Sequence, residues 1–137
     1  MWKTYALLSA FFAALTAIFS KLGVKDVDSN LATAIRVGFI LMLTWGIIIF
    51  SGSIKEIKTL SGSTWLFLAF SAVATGLSWL FYFKALQLGD VSKVAPLDKL
   101  SVPMAMVIAM IFLGEPITIK VVLGGALITA GSLVLLS

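Results

Sequence analysis

The chain of 137 residues has no cysteine and no histidine. Those two absences exclude disulfides, thiolate and imidazole metal sites, and every catalytic arrangement that relies on Cys or His. Proline is rare, at three residues. Charge is rare too: Asp, Glu, Lys and Arg together make 12% of the chain, about half the usual share in soluble domains. The charges are also unevenly spread. Residues 4–20, 37–54, 59–83, 100–114 and 121–137 contain none of the four charged types.

What is there instead is apolar. The hydrophobic fraction is 61%, against roughly 45–50% in globular proteins, and the mean hydropathy is +1.13. A soluble core of this size cannot hide so much apolar surface, so lipid must be its solvent. A bilayer core of about 30 Å takes about 20 apolar residues of α-helix to cross. Four of the charge-free runs reach that length with their flanks, and the run 100–114 reaches it only by taking in Asp98 and Lys99. The runs are continuous, which excludes a β-barrel alternating with period two. The expected fold class is therefore an all-α membrane protein with five transmembrane helices in one domain, residues 1–137. The spans run over about 4–22, 31–51, 64–88, 91–113 and 117–136.

The net charge of +4 and pI near 9.6 would point to nucleic acid in a soluble chain. Here the lysines stand at the ends of apolar runs, where they snorkel to lipid head groups, so no nucleic-acid partner is expected. Met1-Trp2-Lys3-Thr4-Tyr5 and its apolar run could pass for a signal peptide. The run lacks an Ala-x-Ala end, and Lys21-Leu22-Gly23 is a poor cleavage site, so it reads as a retained first span.

Local signals punctuate the spans. Gly23 is a natural C-cap for the first, and Asp28, Ser29 and Asn30 offer N-caps to the second, which stops at Gly52. Ile54, Ile57 and Leu60, interleaved with Lys55, Glu56 and Lys58, predict a short turn lying on the head groups. Ser61-Gly62-Ser63 re-enters the membrane. Gly89-Asp90 predicts a tight turn with Ser92 capping span four, and Gly114-Glu115-Pro116 another with Thr118 capping span five.

Five spans put the termini on opposite sides. Lys3, Lys55, Lys58 and Lys120 then share one side, and Lys21, Lys25, Lys84 and Lys93 the other, with Arg36 and Lys99 embedded in spans two and four. Lys/Arg excess normally sets orientation, and this distribution gives little. Two readings stand: the chain inserts both ways up, or one orientation wins narrowly with residues 21–36 and 84–99 cytoplasmic.

Span four carries the chemistry. Lys99 lies eight residues beyond Val91, ~12 Å into the membrane at about 1.5 Å per residue. Asp98 is beside it. Charges at that depth cost roughly 2.5–3.5 kcal/mol each on insertion scales, so they pair or line a cavity. Pro96 and Pro103 bracket the two and predict a bent or broken helix, a recurring feature of transporter binding sites. Structural neutralisation is the competing reading. Neighbours on a helix point about 100° apart, so each charge is expected to find a partner elsewhere, with Arg36 a candidate for Asp98.

Ser71, Thr75, Ser78 and Tyr82 form a stripe on span three, with Trp79 adjacent, and Ser9, Ala13, Thr16 and Ser20 form one on span one. Such stripes serve helix packing or line a polar path. Trp79, Tyr82 and Phe83 could hold an apolar or aromatic substrate or anchor a span end. Gly124, Gly125 and Gly131 in span five give a close-packing face, within the subunit or, by preference, between subunits of a dimer.

Three motifs in order carry a resemblance: Ala85-Leu86-Gln87-Leu88-Gly89-Asp90-Val91-Ser92-Lys93-Val94-Ala95-Pro96-Leu97, Leu113-Gly114-Glu115-Pro116, and Gly124-Gly125-Ala126-Leu127-Ile128 with Ala130-Gly131. Together they resemble the EamA-type repeat of the drug/metabolite transporter superfamily, over essentially the whole chain. Ser29-Asn30-Leu31-Ala32-Thr33-Ala34-Ile35-Arg36 and Asp98-Lys99-Leu100-Ser101 are similar to its short, single-repeat members. Most members carry two five-helix repeats of opposite orientation, and this chain carries one such half-repeat. The resemblance therefore implies that two copies, one inverted, assemble a ten-helix transporter. The near-balanced charge count agrees with that. Small multidrug resistance proteins offer the precedent for antiparallel dimers, but they use a carboxylate in the first span. None lies there here, so that coupling residue does not carry over.

The expected function is a secondary transporter of small molecules, a metabolite or drug exporter working by alternating access as an antiparallel homodimer. The expected location is the cell membrane of a bacterium or archaeon. The candidate substrate-binding or coupling residues are Asp98, Lys99, Arg36, Trp79, Tyr82 and Ser101. Asp98 is the intramembrane proton-site candidate. The alternative is a non-transporting subunit, or a half-transporter that pairs with a different chain. No cofactor is expected, and no enzyme: no nucleophile–base pair is visible, and the loops are short.

Overall fold

The apolar runs form helices because nothing in them competes for the backbone: few breakers interrupt them, and in lipid every N–H and C=O must be bonded within its own segment. The computed structural model describes residues 1–136. Its helices are α1 (Trp2–Gly23), α2 (Ser29–Ser51), α3 (Gly62–Leu88), α4 (Val91–Asp98), α5 (Ser101–Phe112) and α6 (Ile119–Val134), with a 3₁₀ helix at Ser53–Thr59. No strand occurs among the described residues. α1, α2, α3 and the α4–α5 stretch Val91–Phe112 are each long and apolar enough to cross a bilayer. α6 is shorter, at 16 residues. The fold is an all-α membrane protein of about five spans, the fourth of them divided.

The helix ends have identifiable chemistry. Asp28 caps α2, its Oδ1 accepting from the backbone N–H of Asn30 and of Leu31, both at 3.0 Å. Gly52 ends α2 in the left-handed region at φ 77°, a conformation that costs a residue with a Cβ about 1–2 kcal/mol. Gly114 does the same after α5 at φ 66°, and the N–H of Glu115 reaches back to the carbonyl of Ala109. Thr118 caps α6 by accepting from the N–H of Val121 at 3.3 Å. Two expectations are corrected. Gly23 is no left-handed cap: α1 closes with an ordinary helical bond from the N–H of Val24 to the carbonyl of Ser20 at 2.9 Å. Ser92 lies inside α4, and the cap position belongs to Asp90, whose carbonyl accepts from the N–H groups of Lys93 and Val94.

The chain gathers into two compact units, Phe19–Gln87 and Met1–Ile18 with Leu88 onward. In the first, the buried positions cluster at one end: Ser20, Val24, Ser29, Thr33, Phe83 and Leu86. Polar stitches hold that end. Lys21 Nζ donates to the carbonyl of Leu86 at 2.6 Å, and Gln87 Nε2 donates to the carbonyls of Val24 and Val27 at 3.2 and 2.9 Å. Lysine on the last carbonyls of α3 complements that helix's negative end. At the other end of α2, the 3₁₀ helix folds back on it. Thr44, Trp45, Ile48, Ser53, Glu56, Ile57 and Leu60 line a groove of about 290 Å³ there. Ile57 is half-buried in this groove and Leu60 lines it while still exposed, whereas Ile54, Lys55 and Lys58 face out.

In the second unit α6 packs on α4 and α5. Gly125 is buried there, and a Cβ added to it would meet Met106 Sδ at 3.3 Å and Pro103 Cβ at 3.8 Å. Ser132, two turns on, is buried on the same face and donates its hydroxyl to the carbonyl of Pro96 at 2.9 Å. The remaining surface is frankly apolar: Phe50 is 94% and Phe112 79% exposed. In water such a surface would aggregate; against lipid tails it costs nothing.

Candidate functional site

The first candidate lies where span four is interrupted. Pro96 and Pro103 each lack the N–H that would bond one turn back, to Ser92 and Lys99. Between them the backbone tightens. The N–H groups of Lys99 and Leu100 bond the carbonyls of Pro96 and Leu97, both at 3.0 Å, and the carbonyl of Lys99 takes the N–H of Val102 at 2.9 Å. These are 3₁₀-type bonds, so α4 ends at Asp98 and α5 begins at Ser101. The carbonyl of Pro96 receives a second donor, Ser132 of α6. The interruption is therefore tied down by a hydroxyl from the neighbouring helix.

At this turn Lys99 Nζ stands 3.2 Å from Asp98 Oδ2, with the two side chains 54% and 35% exposed. This corrects the expectation that adjacent charges cannot meet. The 100° separation holds on a regular α-helix; here Lys99 sits at the cap, with ψ −6°, and its long arm folds back on its neighbour. Asp98 thus has Lys99 as partner, where the sequence pointed to Arg36. Ser101, the first residue of α5, is exposed beside the pair.

The second candidate lies in the other unit. Arg36 is on the face of α2 that carries the buried Ser29 and Thr33. Thr33 settles its own hydroxyl on the carbonyl of Ser29 at 2.8 Å. The guanidinium carbon of Arg36 lies over the ring of Trp79, 4.2 Å from its centroid, and 5.5 Å from that of Phe83. Tyr82 is an electrostatic neighbour of the same guanidinium. Arg36 and Trp79, two of the residues expected from the sequence, are thereby brought together, with Phe83 as the buried floor and Tyr82 next to it in sequence on α3. Ser71, Thr75 and Ser78 are exposed along the same stripe of α3 as Tyr82, toward the start of the helix.

The glycines of α6 divide by face. Gly125 packs inside the chain on Met106 and Pro103, whereas an added Cβ at Gly124 or Gly131 would meet nothing within 4 Å. Ser132 was not singled out by sequence reasoning. The signal was present, since Gly125, Thr129 and Ser132 repeat at 4 and 3 along one helical face. Among the described residues no cluster of acidic side chains could hold a metal ion.

Long apolar helices, four of them able to cross a bilayer, define a multi-pass membrane protein. The comparisons agree. The EamA-like transporter family matches residues 1–137, and the chain belongs to that family. It is 50% identical over 134 residues to a Sinorhizobium sp. protein described as an uncharacterized transporter in the cobO 3′ region, covering 98% of this chain and 95% of that one. No solved structure matches it.

Proposed function

We propose that the protein is a secondary transporter that exports small metabolites or drugs by alternating access, as an antiparallel homodimer in the cell membrane of a bacterium or archaeon. The observation that carries this reading is the exposed Asp98–Lys99 pair at the interruption of an otherwise apolar span. Charges held in a membrane without burial need water or a ligand to face. Irregular backbone at membrane depth is tolerated where it lines a cavity. On this reading Asp98, Lys99 and Ser101 of each copy serve coupling in one unit, and Arg36, Trp79 and Tyr82 serve substrate binding in the other. Near-balanced lysines favour insertion in both orientations. The open Gly124/Gly131 face of α6 leaves room for a close helix contact with the second copy.

The test is flux in proteoliposomes, screened over a panel of metabolites and drugs. The wild type should move at least one compound, and Asp98→Asn and Lys99→Ala should each lose that flux while keeping the wild-type elution on size exclusion. Retained flux in both variants would overturn the site assignment. A second, stoichiometric membrane protein that co-purifies would replace the homodimer with a mixed pair.

A further inference from the structure

Arg36 is anomalous for its position. It lies seven residues into α2, ~10 Å along the helix at about 1.5 Å per residue. A cation at such depth is costly and normally finds a carboxylate or backbone carbonyls. Arg36 forms no ion pair and no hydrogen bond with any described residue; its contacts are the rings of Trp79 and Phe83. A ring face attracts the cation but neutralises no charge. Its quadrupole attracts the cation but accepts none of the five N–H donors in the way a carboxylate does. The donors are not sealed in, either. Among the described residues no buried side-chain nitrogen or oxygen lacks a partner, so every unbonded nitrogen of Arg36 is reachable from outside.

The result is a cation that is held in place, unpaired and accessible, on an aromatic shelf. The Asp98–Lys99 pair offers the opposite, charges that cancel locally. A guanidinium with its N–H fork open matches a planar or tetrahedral oxyanion, and Trp79 beside it matches an apolar or aromatic body.

We propose that Arg36, seated over Trp79 and beside Phe83, is an oxyanion-binding residue, and that the cargo is a small organic anion whose carboxylate or phosphate meets the guanidinium while its apolar part rests on the rings. The substrate class rests on the transporter reading above; the binding site does not. A lipid phosphate presents the same chemistry, and the experiment separates the two sources.

Binding is measured in maltoside micelles, free of added phosphate, by isothermal titration with three probes: phenylacetate, its neutral analogue phenylacetamide, and phosphatidylglycerol. Phenylacetate is expected to bind at least about tenfold more tightly than phenylacetamide, the effect of losing about 1.4 kcal/mol of charge-assisted bonding. Arg36→Gln should remove that preference, Arg36→Lys should keep part of it, and Trp79→Leu should weaken phenylacetate several-fold while leaving the charge preference. The comparison of the two phenyl probes uses the wild-type protein alone, so a variant that misfolds does not decide the matter. Equal binding of both, or none of either, overturns the site. Binding of phosphatidylglycerol that phenylacetate fails to displace makes Arg36 a lipid-anchoring residue and overturns the cargo assignment. Because no flux is read, binding can succeed where transport fails, and the reverse.

Discussion

The two units treat intramembrane charge in opposite ways. In Phe19–Gln87, one cation stands on an unbroken helix and is steadied by rings, with its charge uncancelled. In the other, two opposite charges cancel each other at a turn where the helix has come apart. A rigid, uncancelled charge suits recognition, because its donors are held ready for a ligand. A neutral pair on a weakened backbone suits movement, because either charge can change partner without a net charge being exposed to lipid. On the proposed reading, the first would serve as a binding shelf and the second as a hinge with its own counter-ion.

The largest expected effect comes from breaking the pair. Asp98→Asn leaves Lys99 unmatched, at a cost of up to roughly 2.5–3.5 kcal/mol on insertion scales, reduced by the exposure of both groups. Thermal unfolding in micelles should show the double variant Asp98→Asn/Lys99→Gln closer to wild type than Asp98→Asn alone. Equal destabilisation of the two would mean that the charges do not neutralise one another.

The hinge is sharpened next. Pro103→Ala restores an N–H facing the carbonyl of Lys99 and should make span four more continuous, raising stability while slowing flux at least several-fold. Hydrogen exchange over residues 96–104 reads the first effect and proteoliposome flux the second. Unchanged exchange and flux would show that the interruption is not set by proline.

The two faces of α6 give a smaller contrast. Gly125→Leu should destabilise the chain by about 1–3 kcal/mol, because Met106 and Pro103 already occupy the space. Gly131→Leu should leave the subunit's unfolding unchanged and weaken self-association on analytical ultracentrifugation. The reverse pattern would exchange the roles of the faces. Smallest is Ser132→Ala, which removes one hydrogen bond to Pro96 and should cost about 0.6 kcal/mol, a typical value for polar contacts between membrane helices. A loss several times larger would make this tie the main support of the interruption.

Much of the fold was legible because lipid makes one demand on a helix, length without charge, and the charge-free runs state it openly. Caps with a single mechanism were legible as well: Asp28, Gly52 and Thr118 each act where their side chains or φ requirement put them. Gly23 and Ser92 were not, because a residue that can cap competes with a backbone that has already found its bond. The Asp98–Lys99 pair was missed for a related reason, a rule for regular helices applied to a turn that two prolines had made irregular. Arg36 and Trp79 were legible as residue types but not as a pair; their proximity depends on how α2 and α3 pack, which spacing within one helix does not encode.

The central claim, one chain working in two orientations, is tested most directly by membrane labelling. Single cysteines are placed in the 24–30 and 52–62 loops of this cysteine-free chain and probed in intact cells with an impermeant thiol reagent. The account predicts that each loop is labelled in a substantial fraction of molecules, the two fractions summing to the whole population. Full labelling of one loop with none of the other would contradict the self-inverted dimer and leave the chain in need of an oppositely oriented partner.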